Sequence, residues 1–383
     1  MSPADRAKPG IPSSVDWAHL HASSPARKQR ESGVSAARQA STVRNVTAPE
    51  HPPAQATVHE GIEGWTIDGS SDDQSILDNA TALLDAELPD PRFVSSDYLR
   101  WAYRDNPLGR AVERHQMVVV EGNPRLVAHY ANMPRRYRGP DGERSNGAWS
   151  QNAVVHREHQ RTRHFSRLGL EIYDEAGEGG WSFVVGVTNK KSTGAVVKYM
   201  GWRLVGPLPV RIVTPLGRGQ RRTRHLEISA DFLDSDRFDE FAATVDRHRV
   251  SGWTTDYTPD VLRWRLACPH TRYFLHIADD VALITTRSSA GPIPACVVLK
   301  IFPLTSGKAT VDATRVIRSA TRWHRGAFAV YAGFNGSVRV RGIRPPRHLQ
   351  PSPLNLIIRR LDPAIDQDAI TLDTFEFLDM DAY

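Results

Sequence analysis

The stretch that decides the fold runs from Trp149 to Trp202 and reads WSQNAVVHREHQRTRHFSRLGLEIYDEAGEGGWSFVVGVTNKKSTGAVVKYMGW. Its start belongs to a strand-like segment, Ala148 to Val155, which ends in small and β-branched residues and is followed by a polar turn, HREHQRTRH. Apolar residues at helical spacing then begin at Phe165 and predict an amphipathic helix that ends near Gly177.

The second part of this stretch repeats a strand and a helix. Trp181 to Val187 is a short apolar run typical of a buried strand, and Asn189 closes it. A helix is predicted from near Ser192 to Met200, and the next residues lead into the apolar run Leu204 to Val213. The local order is therefore β-α-β-α-β, with a turn feeding the N-terminus of the first helix. Such a turn suits a phosphate, since unpaired N–H groups and the helix dipole both favour an anion.

This order resembles the acyl-CoA-binding half of the GNAT superfamily of N-acyltransferases, in which the turn holds the donor pyrophosphate. In that family the turn reads Gln or Arg, two free positions, Gly, one free position and a small residue. The chain keeps Gln160, but Arg163 replaces the glycine and Phe165 the small residue. The resemblance implies donor contacts for the strand end, the turn and the two helix starts, namely Val154, Val155, Gln160, Arg161, Thr162, Arg163, His164, Phe165, Asn189 and Ser192.

The loss of the turn glycine leaves two interpretations open. Glycine lets the backbone approach phosphates closely, so a side chain at Arg163 either weakens the pocket or rebuilds it. In a rebuilt pocket, Arg161, Arg163 and Arg167 neutralise the phosphates through charge-assisted hydrogen bonds. The plain alternative is a solvated basic helix start, and Asn189 and Ser192 are likewise ordinary helix-capping residues.

The acid and base of the implied reaction are less well marked. Many members of the family carry a tyrosine about four residues before a Gly-aromatic pair, here Gly201-Trp202, where it protonates the leaving thiolate. That position is Val197 in this chain, and Tyr199 is the nearest candidate. Near the donor strand, the candidates for a general base are Asn152, His156, His159 and His164. Histidine suits the role because its pKa lies near neutrality, and His156 follows the strand directly, although a structural role fits it as well.

Length and composition bound the rest of the chain. Its 383 residues predict two or three domains. The first 60 residues contain seven prolines and one aromatic residue, Trp17, which predicts a disordered tail for residues 1–60. The sequence has neither an apolar stretch behind a basic start nor a run of about 18 apolar residues, so we expect a cytoplasmic protein without a membrane span. Two cysteines, Cys268 and Cys296, indicate neither a disulfide framework nor a metal site, and a metal-free site is expected.

Three pairs of segments recur in the same order and indicate a duplication. Asp97 to Trp101 recurs as Asp260 to Trp264, Phe183 to Asn189 as Ala329 to Asn335, and Gly201 to Arg203 as Gly342 to Arg344. The predicted fold class is therefore α/β, with two GNAT-like mixed α/β domains in tandem behind the tail. The predicted boundaries are 62–215 for a donor-binding domain, 216–225 for a basic linker and 226–383 for a degenerate second domain.

The second half is predicted to have matching elements. Strands are expected at 272–277, 281–286, 296–301 and 327–333, a helix at about 308–323, and a last strand, 354–359, that completes the domain. Its segment 302–307 lacks the Gln-led turn, so we expect only the first half to hold the donor and the second to shape the acceptor side of the cleft between them. The linker arginines Arg218, Arg221, Arg222 and Arg224 are an exposed connection in one interpretation, and contact an acidic donor or carrier surface in the other.

The resemblance implies an N-acyltransferase that moves an acyl group from an acyl-CoA or acyl carrier protein thioester to a primary amine. The acceptor is expected to be a small molecule or peptide of specialised metabolism, such as antibiotic biosynthesis. A modest net charge of +6, without zinc-finger spacing or a long basic helix, argues against nucleic acid as a partner. Two alternatives stay open: a FemABX-like enzyme that takes an aminoacyl group from charged tRNA, and a catalytically inactive GNAT-fold binding protein.

Overall fold

A computed structural model describes residues 56–58, 64–69, 74–88, 90–245, 248–305, 310–346 and 354–380. The tail predicted for residues 1–60 lies outside the described residues, apart from Ala56–Val58, which form a strand. In the described ranges, no helix combines the length and the apolar character that crossing a bilayer requires.

The described strands are, in chain order, β1 (Ala56–Val58), β2 (Trp65–Asp68), β3 (Val112–Val120), β4 (Asn123–Arg138), β5 (Arg144–Val155), β6 (Phe183–Thr188), β7 (Arg203–Pro207), β8 (Val210–Val213), β9 (Arg224–Ile228), β10 (Thr254–Thr255), β11 (Tyr273–Ile277), β12 (Val281–Ala290), β13 (Ile293–Pro303), β14 (Val311–Asp312), β15 (Phe328–Asn335), β16 (Val338–Arg339), β17 (Asn355–Arg360) and β18 (Thr374–Glu376). The described α-helices are α1 (Gln74–Glu87), α2 (Asp97–Tyr103), α3 (His164–Glu178), α4 (Lys190–Tyr199), α5 (Ala230–Leu233), α6 (Asp236–Ala242), α7 (Pro259–Leu266) and α8 (Thr314–Trp323).

Two mixed sheets organise these elements. The first has the order β1-β2-β3-β4-β5-β6-β17-β7, and the second runs β9-β11-β12-β13-β15, with β8 and then β18 along the outer edge of β15. In each sheet an antiparallel series ends in one parallel step, β5 to β6 and β13 to β15, and a helix, α3 or α8, lies between the two parallel strands in sequence. The tandem mixed α/β fold predicted from the repeat is confirmed.

The repeated segments occupy equivalent places. The two copies of the DxLRW motif form α2 and α7, and the copies beginning at Phe183 and Ala329 form β6 and β15. The third pair is also equivalent, because β7 follows Trp202 and pairs with β17, while Ile343 forms a bridge with Ile212 of β8. These three pairs of segments are too short to prove homology by sequence, but each pair occupies equivalent positions in the two halves of the structure.

The two halves exchange strands. The predicted strand 354–359 does not complete the second half: as β17, it lies between β6 and β7 of the first sheet. In return, β8 leaves the first half and pairs with β15. Leu356, Ile357 and Ile358 are each at most 2 % exposed, which accounts for the strand, but an apolar strand does not specify its partner. The predicted division of the chain into 62–215 and 226–383 stays a prediction, and any such division has to accommodate this exchange.

Two element boundaries and one strand also differ from the prediction. Gly177 is still helical, and the C-cap of α3 is Gly179. The helix expected from about 308 begins only at Thr314, since Val311 and Asp312 pair with β16. The last described strand of the second half is β18, which the sequence pattern did not indicate.

The largest buried cluster is shared by both sheets. It contains Leu84, Leu99 and Trp149 from the first half, and Leu262 and Phe302 from the second. Smaller cores lie under α3 and α4 and under α8. Because burial of apolar surface is the main favourable term in folding, the two halves stabilise each other through the common cluster.

Candidate functional site

A gap opens between β5 and β6. The two parallel strands pair only at Ala148 with Val184, Trp149 with Val185 and Ser150 with Gly186. Beyond Ser150, β5 continues for five residues to Val155, and within the described residues no strand occupies the edge that faces β6. The main-chain groups along this edge are therefore open to a ligand that presents amides of its own.

A bulge in β5 causes this divergence. The register with β4 shifts between His129 and Ala131, so that Asn152 and Ala153 together oppose Tyr130. Asn152 has a φ of 52°, in the left-handed region that Asn tolerates better than most residues. A bulge bends its strand and redirects side chains, and bulges are frequent beside active sites.

The turn after β5 is compact and polar. A short 3-10 helix, Arg157–His159, leads to Gln160, whose Nε2 donates to the carbonyl of Val155 at 3.5 Å. Thr162 Oγ1 donates to the carbonyl of His159 at 2.7 Å and accepts from the His164 N–H at 3.4 Å. This turn brings the predicted residues from Val154 to Phe165 to the mouth of the gap.

The start of α3 can receive an anion. Arg163 occupies the N-cap without a side-chain capping bond, and the His164 N–H donates to Thr162, so the next N–H groups of this 15-residue helix, those of Phe165 and Ser166, keep their capacity for a ligand. Arg161 and Arg163 are exposed, and neither forms an ion pair with a described residue. Arg167 is different: it donates to Glu171 at 2.6 Å and to Thr66 at 2.9 Å, and also bonds to Gln116. Of the three arginines considered for the phosphates, Arg167 is thus already engaged.

Asn189 and Ser192 lie across the gap at the start of α4. Asn189 is the N-cap, and its Oδ1 accepts from the N–H groups of Lys191 at 2.9 Å and Ser192 at 3.0 Å. The capping interpretation of Asn189 therefore holds. Contact of either residue with a donor stays a prediction.

The end of α4 is fixed by the exchanged strand. Gly201 has a φ of 68°, and a Cβ there would come within 2.5 Å of the Arg359 guanidinium. Arg359, from β17, also bonds to the carbonyl of Met200 and lies 4.8 Å from the ring centroid of Tyr173. The left-handed φ favours glycine at this position, and a larger residue would also displace the Arg359 guanidinium.

The two predicted acid and base residues lie apart. Tyr199 is 62 % exposed at the end of α4, where Lys198 Nζ lies 5.1 Å from its ring centroid. His156 lies at the other end of the site, with its Nε2 2.9 Å from Arg125 Nη2 and 4.0 Å from Glu87. No described contact joins them, and their catalytic roles stay predictions.

Buried hydroxyls form the base of the gap on the helix side. Tyr130 OH lies 2.6 Å from Tyr173 OH, and it accepts from Ser150 Oγ at 3.0 Å. Trp202 Nε1 donates to Tyr173 OH at 3.0 Å. Burial raises the pKa of Tyr130 and of Tyr173, so both phenols are neutral. The sequence pattern identified Trp202 but not the two tyrosines, because an isolated tyrosine in an apolar pattern predicts a core residue.

A second polar network lies on the opposite face of the same strands. It runs from Asn152 of the bulge through Tyr103 and His129 to His115 and Glu113, all in close contact. Asn152 was one of the residues considered as a base, whereas the other four were not identified from the sequence. Within the described residues, no three His, Cys, Asp or Glu side chains are placed to hold a metal ion, and the absence of a metal stays a prediction.

The linker arginines lie away from the gap. Arg218, Arg221 and Arg222, together with Arg315 and Arg322 of α8, line an open cavity of about 780 Å³. Arg322 holds the linker by donating to the carbonyl of Pro215 at 3.0 Å, and the Gln220 N–H donates to Ser319 Oγ at 2.9 Å. The linker is therefore pinned to α8, and Asp279 is the single acidic residue among those lining this cavity.

Comparison with known proteins supports the fold. No protein-family model matches the sequence, and no curated protein matches it either. A solved structure from Enterococcus faecalis V583, titled a probable N-acyltransferase of unknown function, has a TM-score of 0.51 and 10 % identity, over 78 % of this chain and 73 % of that one. A GCN5-related N-acetyltransferase from Anabaena variabilis has a TM-score of 0.51 and 12 % identity, with the same coverage of both chains. The chain therefore has the GNAT fold.

Proposed function

We propose that the protein is an N-acyltransferase that takes an acyl group from an acyl-CoA thioester and transfers it to a primary amine. The observation that carries this proposal is the gap between β5 and β6, which ends at a basic turn and an uncapped helix N-terminus. The GNAT fold of the chain is consistent with it, but fold alone does not fix an activity.

The gap suits the chemistry of the donor. The pantetheine arm of CoA is a narrow, extended chain with two amide groups, which can pair with the free edge of β5 as an added strand does. The pyrophosphate would then reach the start of α3, where N–H groups, the helix dipole and the side chains of Arg161 and Arg163 all favour negative charge. This arrangement supports the rebuilt form of the phosphate pocket, in which arginine side chains replace the glycine backbone contact.

The reaction requires little beyond correct placement. The amine lone pair attacks the thioester carbonyl carbon, a C–N bond forms, the C–S bond breaks, and the proton lost by nitrogen balances the one gained by the thiolate. Holding the two reactants in attack geometry supplies much of the acceleration, on the order of 7–11 kcal/mol of barrier in favourable cases. A strongly marked acid and base are therefore not essential to the proposal.

The acceptor is proposed to enter from the side of the second sheet. The bulge residue Asn152 faces the cluster shared by both halves, and ligand pockets favour such domain interfaces. We propose a small amine or a peptide of specialised metabolism as the acceptor, modified in the cytoplasm.

A carrier protein is a second source of the same thioester. The cavity lined by five arginines and one aspartate has a formal charge of +4, by subtraction of one from five, which favours an acidic carrier surface. Transfer from charged tRNA and a purely binding role are the remaining alternatives. Each of them predicts a different bound partner.

Native mass spectrometry of the purified protein with each donor tests the proposal. Samples would contain acetyl-CoA, a long-chain acyl-CoA, an acylated carrier protein or a charged tRNA. We expect retention of a CoA thioester at a ratio of one to one. Retention of the carrier protein or of charged tRNA in place of every CoA thioester would overturn the proposed donor, and retention of none would indicate a binding protein of another kind.

A further inference from the structure

We infer that Asn152 orients the acceptor amine through its Oδ1, and that a one-way chain of hydrogen bonds from Asn152 to His115, with the Glu113 carboxylate beside its inner end, holds the Asn152 amide in the required orientation. This inference rests on the proposed function. It assigns a substrate-contacting role to Asn152 and a positioning role to the residues behind it.

The hydrogen bonds join four side chains, and a fifth side chain, Glu113, lies beside the last of them. Asn152 Nδ2 lies 2.8 Å from Tyr103 OH, and Tyr103 OH lies 3.0 Å from His129 Nε2. His129 Nδ1 lies 3.3 Å from His115 Nδ1. His115 Nε2 lies 3.4 Å from Glu113 Oε2, a charge contact that does not have the geometry of a hydrogen bond. The four residues behind Asn152 are at most 1 % exposed.

The donor and acceptor groups of these side chains give the series of hydrogen bonds a single direction. The Glu113 carboxylate faces His115 Nε2 at 3.4 Å, and its negative charge favours a proton on that nitrogen, so the Nδ1 of a neutral His115 is an acceptor. His129 must then donate through Nδ1, which leaves its Nε2 to accept from the Tyr103 hydroxyl. The Tyr103 oxygen accepts in turn, and the only group Asn152 can offer to it is the amide N–H. Each tautomer follows from its neighbour, as expected for a polarised network.

The surroundings agree with a neutral His129. Burial, His115 and Arg104 all hold the pKa of His129 far below its usual value, and burial together with Glu113 raises the pKa of Tyr103. The charged groups that face the pair of histidines are Glu113 on β3 and Arg104 after α2, and they form an ion pair with each other. His129 therefore keeps one donor and one acceptor nitrogen at neutral pH.

The consequence for the site concerns Asn152, at the outer end of the hydrogen-bond chain. With Nδ2 committed to Tyr103, Asn152 Oδ1 has no hydrogen-bond partner among the described residues. Asn152 is also the only member of the chain that is not buried, and it lies in the bulge at the open edge of β5. An acceptor oxygen at this point can receive one N–H of an amine and direct the nitrogen lone pair toward a thioester bound along the edge.

The second half provides an internal comparison. Its equivalent bulge in β13 has Leu299, which is fully buried, where the first half has Asn152. Its polar network runs from His225 through His276 and Thr285 to His324 and ends at Arg287. The second network passes through Thr285, which borders the bulge on the β12 side, whereas the first network ends on a residue of the bulged strand itself, Asn152 of β5.

The tautomers can be measured without any substrate. Nitrogen NMR of protein labelled at histidine is expected to give His129 protonated at Nδ1 and His115 protonated at Nε2, near pH 7. The opposite tautomer at His129 would overturn the proposed direction of the hydrogen bonds. His129 Nε2 would then donate to Tyr103, Tyr103 would donate to Asn152, and Asn152 would have to accept through Oδ1, which would leave Nδ2 facing the acceptor amine. This readout is independent of the proposed enzymatic activity.

Kinetics test the role of the chain. The probe reaction uses acetyl-CoA with spermidine, tyramine and triglycine, and thiol release is followed colorimetrically. Asn152→Ala is expected to lower kcat about a hundredfold, and Tyr103→Phe about tenfold, as for a misplaced reactant. In the Asn152→Ala background, Tyr103→Phe should have no further effect, because Tyr103 acts through Asn152. Additive losses would overturn the inference.

A conservative variant separates positioning from proton transfer. In His129→Gln the amide oxygen can accept from Tyr103 and the amide N–H can donate to His115, so the direction is kept by a group that does not titrate. We expect His129→Gln to retain kcat within about threefold and the pH profile of the parent, whereas His129→Leu falls to the level of Tyr103→Phe. Equal losses in the two variants, with both folded, would contradict a positioning role.

Donor binding distinguishes a failure of this inference from a failure of the proposed function. The Tyr103 and His129 variants should retain the acetyl-CoA affinity of the parent, since neither residue lies on the open edge of β5 or contacts the turn at Arg163. Asn152 lies on that edge, so kcat of Asn152→Ala is compared with the parent at saturating acetyl-CoA. A parent protein that binds no acyl-CoA, or that modifies none of the three amines, would count against the proposed function. If the parent protein binds acetyl-CoA and turns over an amine, and Asn152→Ala has the same kcat as the parent, the result counts against the inference alone.

Discussion

Trp101 and Trp264 stack and form reciprocal hydrogen bonds where the two halves of the molecule meet. Their rings stack with centroids 4.7 Å apart and planes 15° apart. Trp101 Nε1 donates to the carbonyl of Trp264 at 2.9 Å, and Trp264 Nε1 donates to the carbonyl of Trp101 at 3.0 Å. The two residues occupy the same position of the repeated DxLRW motif, so the contact is reciprocal and marks an approximate twofold axis between the copies.

Replacement of either tryptophan by phenylalanine should destabilise the whole chain. Each change removes one indole N–H. Trp264→Phe takes the indole donor from the Trp101 carbonyl, at a cost of roughly 1–3 kcal/mol in the free energy of unfolding. Trp101→Phe should cost less, because the Trp264 carbonyl still accepts from the Ala267 N–H at 3.1 Å. Because the two bonds belong to one contact, the Trp101→Phe/Trp264→Phe double variant should lose less than the sum of the single losses. Urea denaturation measures all three, with Trp323→Phe on α8 as a control outside this contact. Losses that simply add would contradict the reciprocal contact.

Arg163 should contribute directly to donor affinity. If its side chain has replaced the backbone contact of a glycine, Arg163→Ala weakens acetyl-CoA binding about tenfold, as expected for loss of one charge-assisted contact. Arg163→Gly should weaken binding as well, and calorimetric titration measures both. Arg237→Ala, at an exposed arginine on α6, is the matched control and should bind as the parent does. Tighter binding by Arg163→Gly would mean that the arginine obstructs the turn.

The exchanged strand should couple the end of the chain to the donor site. Ile357 on β17 is 2 % exposed, and its truncation in Ile357→Ala should cost about 2–5 kcal/mol of unfolding free energy. Since β17 lies between β6 and β7, the variant should also weaken acetyl-CoA binding. Ile317→Ala on α8 removes a similarly buried residue from the second half and should spare donor affinity. Equal effects of the two variants on affinity would rule out local coupling.

A buried carboxyl near the end of the chain should make stability depend on pH. Burial raises the pKa of Glu376 to about 7, although Lys300 Nζ lies 3.2 Å from its Oε2. The folded state thus holds a proton up to about pH 7 that the unfolded chain releases near pH 4.5, the ordinary value for glutamate. Folded protein binds more protons between these values, so stability should fall as pH rises through this window.

The expected size of this effect is on the order of 2–3 kcal/mol. Urea midpoints at several values between pH 5 and pH 8 measure it. Glu376→Gln cannot titrate at this position and should flatten the dependence. A parent stability that rises across the same window would contradict the assignment to Glu376.

Local structure in the first half could be predicted because the spacing of apolar residues specifies it. Strand β6 and helices α3 and α4 all lie within a few residues of their predicted bounds. The sequence also predicted the duplication, since three short echoes in the same order correspond to equivalent elements. The partner of β17 could not be predicted, because the apolar run of Leu356, Ile357 and Ile358 fits either sheet and long-range closure decides between them.

The polar chain behind Asn152 was missed for a related reason. His115 lies in the polar start of β3, next to Arg114 and Gln116, and His129 is a single polar residue in an apolar part of β4. A hairpin turn at Glu121 and Gly122 joins those strands. Counting back from this two-residue turn would place His115 opposite Ala128, and a register shift near Gln116 moves it to His129. A pattern of hydrophobicity does not reveal a bulge, so the contact between the two histidines is visible only in the structure.

The central claim is that the donor binds along the open edge of β5, and amide hydrogen exchange tests that placement directly. Addition of acetyl-CoA should slow exchange at residues 151–155 and at the start of α3, while the equivalent strand β13 stays unchanged. Protection confined to β13, to the linker arginines or to no segment would contradict a donor site between β5 and β6.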